Sequence, residues 1–200
     1  MKSQQHQRGM MSPSSKVKPW EIVVTDIEGN GLYQEVDTIW CAVCLDVVTG
    51  EEETFGPQDI DLYVEFLQGK ILVGHNLIDF DLPVLLKLWG VRFDVSQVFD
   101  TLVMSRLQFP ERPGGHSLGA WGQALGEPKI DWRARAEALG LCSPKDPKGA
   151  EFKIYHPEML VYNKQDCKVN LKVLKAMLKH LGWTLEDLRD HIKEVQLYNG

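Results

Sequence analysis

The sequence predicts an α/β domain. Three observations predict it: strand-like segments follow one another at residues 20–26, 38–48 and 51–55; two further short apolar strands, 70–74 and 98–100, are interleaved with helical spacing; and a long amphipathic helix spans 157–180. Two hundred residues with 44% hydrophobic and 25% charged content fit one domain with a sizeable core. No run approaches the roughly 18 apolar residues that a membrane span requires. Residues 1–19 are polar and lack an apolar signal core, so they are expected to form a disordered leader to a single domain at 20–200. A soluble, cytoplasmic protein with no membrane partner is expected.

The first strand sets the pattern. Its apolar run, Val23 and Val24, passes through Thr25 into Asp26, Ile27 and Glu28, and a Gly29-Asn30 turn follows. With a period of two, Asp26 and Glu28 share one face a few ångströms apart, and such a pair of like charges calls for a positive neighbour. A divalent metal ion would serve. The second strand holds Cys41 and Cys44 in a C-x-x-C, but a separation of three sends the thiols to opposite faces of a buried strand, which argues against a metal knuckle. Cys142 and Cys167 have no near partner in sequence, so reduced thiols are expected. Acidic residues 51–55 read as an exposed edge strand.

Helical spacing at 58–68 places Ile60, Val64 and Leu67 on one face and stops at Gly69. The strand 70–74 is apolar throughout, as in a buried parallel position, and a helix over 84–89 comes after Pro83. Proline is tolerated in a first turn, so Asp81 falls at a helix start. An ordinary capping role for Asp79 or Asp81 is the alternative. Residues 109–115 are a loop by composition, and Ser117 is a plausible cap for a helix bearing Leu118, Trp121 and Leu125. Residues 127–152 read as irregular, apart from a short amphipathic piece near 133–139. A final amphipathic helix is expected at 184–198.

On the wheel of the long helix, Tyr162 lies about 40° from Asp166, and Val173, Leu174 and Met177 lie within about 80°. Asp166 therefore points inward, where an unpaired carboxylate is costly. Lys164, Lys168, Lys172, Lys175 and Lys179 fall on the opposite side, as a solvated face rather than a nucleic-acid track. The net charge of −6 argues against a protein that coats nucleic acid, although residues 129–179 carry eleven basic and six acidic groups. Asp26, Glu28, Asp81 and Asp166 form an ordered set of hard oxygen donors suited to Mg²⁺ or Mn²⁺, and two such ions about 4 Å apart can hydrolyse a phosphodiester.

Asp26-Ile27-Glu28, Asn76 with Phe80-Asp81, and Tyr162-Asn163-Lys164-Gln165-Asp166 resemble the three motifs of the DEDD exonucleases, tyrosine subclass. With His116-Ser117-Leu118-Gly119-Ala120-Trp121-Gly122 and the run 100–107, the chain resembles, over about residues 21–181, the proofreading domain of phage family-A DNA polymerases. The resemblance implies a ribonuclease-H-like fold, a mixed sheet packed between helices. It also implies a metal-dependent 3′-to-5′ exonuclease acting on single-stranded or frayed DNA 3′ ends with two Mg²⁺ or Mn²⁺ ions. One ion is implied at Asp26, Glu28 and Asp166, and the second at Asp26, with Asp81 acting through bound water.

The same resemblance implies that Tyr162 and Glu28 orient the attacking water and that Glu28 and the backbone at Gly29 meet the terminal 3′ hydroxyl. Leu32 matches an apolar wedge against the terminal bases, or is an ordinary packing leucine. Asn76 and Phe80 would line the cleft, with plain core packing the alternative for Phe80. His75 and His116 are left out of the chemistry. The chain stops one helix beyond these motifs, so no polymerase activity is expected; it would act alone or proofread in trans for a separate polymerase chain, in the host cytoplasm if phage-encoded. An exoribonuclease and a catalytically silent polymerase- or DNA-binding subunit are the alternatives.

Overall fold

The structure, a computed structural model, describes residues 15–199 in backbone and 15–197 in side chain. Five strands form one sheet: β1 (Ile22–Gly29), β2 (Ile39–Asp46), β3 (Glu52–Phe55), β4 (Ile71–Gly74) and β5 (Val98–Asp100), in the spatial order β3-β2-β1-β4-β5. β1 pairs antiparallel with β2, and β2 with β3; β4 lies parallel to β1, and β5 to β4. The sheet is mixed as expected, with acidic β3 at an edge. β1 starts later and runs further than its sequence suggests, through Glu28 to Gly29, so both carboxylates stand on paired strand rather than beyond it.

Among the described residues seven α-helices flank the sheet: α1 (Ile60–Phe66), α2 (Asp81–Trp89), α3 (Thr101–Gln108), α4 (Leu118–Ala124), α5 (Trp132–Ala138), α6 (Glu158–Leu181) and α7 (Leu185–Asn199). Alternation along β1 decides which layer each residue meets. Ile22 and Val24 join Val43, Val73, Val173, Leu174 and Met177 under α6, while Val23 and Ile27 join Tyr63, Leu72 and Leu85 under α1 and α2. Cys41 and Cys44 are free and buried, and they belong to different clusters, as their spacing requires. Each fully buried side chain of α6 stabilises the docking of the helix by about 1.5–3 kcal/mol relative to exposure.

Outside the sheet, the lysine face of α6 is largely spent on neighbours. Lys164 and Lys168 reach Glu52 of β3 at 3.1 and 2.9 Å, and Lys172 reaches Glu127 at 2.7 Å. Ser117 caps α4 by accepting from the Ala120 amide, as its position predicts. Of the expected leader, residues 1–14 lie outside the described residues. In the described part Val17 is buried against the α6 layer and its amide donates to Glu186 of α7, while Arg189 donates to the Ser15 carbonyl. No helix among the described residues is long and apolar enough to cross a membrane.

Candidate active site

Asp26 and Glu28 follow Val24 on the face of β1 that α6 covers, opposite Val43 and Cys41 of β2. A bulge between Glu28 and Gly29 ends the regular ladder, and bulges of this kind turn the strand and re-aim its side chains. A Cβ at position 29 would lie 2.9 Å from Val36 Cγ2 and 3.1 Å from the Thr38 carbonyl, so this close approach requires glycine. From across the layer, α6 lowers Asp166 toward the same point. Asn163, one turn earlier, donates to the Asp26 carbonyl at 3.3 Å and ties helix to strand.

Asp26, Glu28 and Asp166 each present an oxygen, all within 4.8 Å of one another. Asp81, the first residue of α2, is buried and accepts from the Ile27 amide at 3.1 Å. It is close enough to raise the proton affinity of Glu28, yet it stands outside the three-oxygen group. Burial, then the Asp166 charge, pushes the Asp26 carboxyl up to about 7, with Lys129 opposing. Glu28 and Asp81 are pushed well up, chiefly by burial and then by Asp26. Tyr162 packs on Trp132 at 5.8 Å between ring centroids, and burial with the adjacent carboxylates holds its hydroxyl above the usual phenol range.

The donor set suits a hard divalent cation. Among the described residues Asp166 Oδ1 is buried with no hydrogen-bond partner, as suits an oxygen that takes a ligand from outside the chain, while the Tyr162 hydroxyl lies against the same carboxylate. All three groups are carboxylates, as Mg²⁺ and Mn²⁺ prefer.

Two clefts open from this cluster. The first, about 370 Å³, is lined by Glu28, Gly29, Leu32, Phe80, Gly149 and Phe152 among others. Leu32 is 73% exposed in this cleft, and Phe80 is partly buried against the α1–α2 core while also facing it. The second, about 650 Å³ and polar, runs from Asp26 and Asp166 past Asn76, Arg106, His116 and Lys129. Asn76 adopts a left-handed φ of 77°, and Asp100 fixes this turn by accepting from the Asn76 and Ile78 amides, both at 3.1 Å. His75 bonds Thr101 at 2.9 Å and is kept neutral, its pKa lowered by burial to about 4.

The structure thus brings together eight of the nine residues singled out from sequence around the two clefts and the carboxylate cluster, with Asp81 tied to β1 through the Ile27 amide. Sequence reasoning missed Lys129, whose Nζ lies 2.5 Å from Asp166 Oδ2, and the wall formed by Lys148, Gly149 and Phe152. The one available signal was the basic excess of residues 129–179, which does not say which lysine turns inward.

Among solved structures, the fold is similar to Brucella melitensis NrnC (TM-score 0.54, 17% identity, covering 89% of this chain and 86% of that one). It is also similar to a nuclease solved in its apo form (TM-score 0.55, 18% identity, covering 86% of this chain and 76% of that one). The fold is ribonuclease-H-like, and the likenesses in fold and sequence support a DEDD-type 3′–5′ exonuclease. In sequence it is similar to the DNA-directed DNA polymerases of Escherichia phage T7 and Enterobacteria phage T3, each 31% identical over 189 residues. Those alignments cover 78% of this chain, which spans about a quarter (26%) of the length of each polymerase. No protein-family model matches the sequence.

Proposed function

We propose that the chain is a metal-dependent 3′-to-5′ exonuclease that removes 5′-mononucleotides from single-stranded or frayed DNA. The observation that carries this reading is the convergence of Asp26, Glu28 and Asp166 oxygens within 4.8 Å, one Asp166 oxygen unpartnered, where an apolar and a polar cleft meet. Asp26, Glu28 and Asp166 would hold one Mg²⁺ or Mn²⁺, and Asp26 and Asp81 would support a second. Bound ions of this kind lower the pKa of water and offset charge on the leaving oxygen. Tyr162, with its raised pKa, keeps its proton and positions the attacking water together with Glu28. Leu32 and Phe80 abut the terminal base, the Gly29 backbone meets the 3′ hydroxyl, and Asn76 borders the path of the strand.

DNA is favoured by the 31% identity to phage DNA polymerases, and the same relation supports proofreading in trans for a separate polymerase chain. RNA is the second reading, favoured by the fold likeness to Brucella melitensis NrnC, one structure of which holds pGG (TM-score 0.51). A silent scaffold is disfavoured, because crowding three buried carboxylates costs stability that the single Lys129 ammonium offsets only in part. Matched 3′- and 5′-labelled DNA and RNA oligonucleotides, incubated with Mg²⁺, Mn²⁺ or EDTA, test all three. A metal-dependent ladder from the 3′ end of DNA, absent in Asp26→Ala, is the expected result. Preferential loss of RNA would assign the second reading, and no cleavage of either polymer would leave the scaffold.

A further inference from the structure

We propose that Lys129 is a resident cation of the carboxylate cluster, which a divalent ion must displace from Asp166 in order to bind. This rests on the metal-dependent reading above. Lys129 Nζ lies 2.5 Å from Asp166 Oδ2 and 5.1 Å from the centre of the Tyr162 ring, so it sits among the groups that would hold an ion and position water. The pair is enclosed, with the Asp166 side chain 5% and the Lys129 side chain 27% exposed. It is also incomplete. One ammonium covers one oxygen, leaves Asp166 Oδ1 without a partner, and offsets a single charge where three carboxylates converge.

The attachment of Lys129 suits exchange. Its backbone belongs to the connection between α4 and α5, anchored two residues earlier at Glu127. There the amide donates to the Gly122 carbonyl at 2.8 Å, and the carboxylate holds Lys172 at 2.7 Å and Gln165 at 2.8 Å. Beyond that fixed base, the ammonium rides on a flexible four-carbon stem and holds Asp166 as a point charge, without the two-pronged grip of a guanidinium. Once displaced, it can turn into the polar cleft it already lines with Arg106 and His116, where an anionic oligonucleotide would meet it. Ion entry and substrate entry are then coupled through one side chain, each favouring the state that the other needs.

The test is Mn²⁺ binding without nucleic acid, read from the electron paramagnetic resonance signal of the free ion, for wild type, Lys129→Met and Lys129→Arg. Removing the competitor should tighten binding roughly tenfold in Lys129→Met. Lys129→Arg keeps the charge and can grip the carboxylate with two prongs, so it should bind Mn²⁺ no more tightly than wild type. Equal or weaker binding by folded Lys129→Met overturns the proposal but leaves the nuclease reading standing, whereas no binding by any of the three proteins overturns both. Should Lys129→Met not fold, ¹⁵N-lysine labelling of the wild type decides: the ammonium resonance missing from Lys129→Arg should shift on adding Mg²⁺. A resonance unmoved at saturating Mg²⁺ overturns the displacement.

Discussion

Arg133 on α5 grips Glu151, its Nη1 2.9 Å from Oε2, and with the same guanidinium it holds the carbonyls of Ser143 at 2.6 Å and Asp146 at 3.0 Å. One side chain thereby closes the 143–151 loop, whose Lys148, Gly149 and Glu151 line the apolar cleft opposite Leu32. Arg133→Ala should loosen that wall and leave the buried Glu151 carboxylate to backbone amides without its guanidinium partner, at a cost of about 1–3 kcal/mol. Steady-state kinetics on a short oligonucleotide should show KM rising several-fold while kcat changes less. An unchanged KM would separate this loop from substrate binding.

The crowded carboxylates predict an unusual pH dependence. In the fold Asp26 titrates near 7, and Glu28 and Asp81 are also raised, whereas unfolded carboxylates titrate near 4. The native state thus keeps protons that the unfolded chain releases. That contribution is full below about pH 4 and is lost as pH rises toward 7. In EDTA the melting temperature should fall between about pH 5.5 and pH 8. Mn²⁺ competes with those protons, so the rise in melting temperature that it causes should be larger at pH 8 than at pH 5.5. Calorimetry with and without the ion checks both signs.

Asp26→Asn separates chemistry from folding. It removes one of three converging charges, so turnover should drop by about a thousandfold or more, equivalent to about 4 kcal/mol of transition-state stabilisation. The melting temperature in EDTA at pH 8 should hold or rise, because a like-charge repulsion has gone. A loss of stability parallel to the loss of activity would contradict the arrangement described.

Asp100 carries four backbone amides: Asn76 and Ile78 in the turn that borders the polar cleft, and Leu102 and Val103 at the start of α3. Asp100→Ala leaves these without a side-chain acceptor and should destabilise the protein by about 2–4 kcal/mol in urea unfolding. Asp100→Asn retains one oxygen and should recover part of the loss.

The sequence exposed those parts of the site that follow a short period. Alternation along β1 put Asp26 and Glu28 on one face, the α6 wheel turned Asp166 inward, and Pro83 set Asp81 at a helix start; all three placements hold. Lys129 and Phe152 were out of reach because residues 127–152 have no repeat to read, and Arg133, through contacts 10 to 18 residues distant, shapes the later part of that stretch. Val17 likewise looked like part of a polar leader. Its burial depends on α7, 169 residues away at Glu186. Local chemistry announces itself locally; a loop held by a distant guanidinium does not.

The order in which the ligands occur along the chain bears on biosynthesis. β1 supplies Asp26 and Glu28 early, whereas Asp166 arrives only on α6, after the whole sheet and five helices have been made. Chains grow from the N-terminus at about 5–20 residues per second. A nascent polypeptide would therefore present two of the three clustered carboxylates for several seconds before it could close around an ion. The proposed hydrolytic competence would then arise in a single late step, when α6 leaves the ribosome and docks.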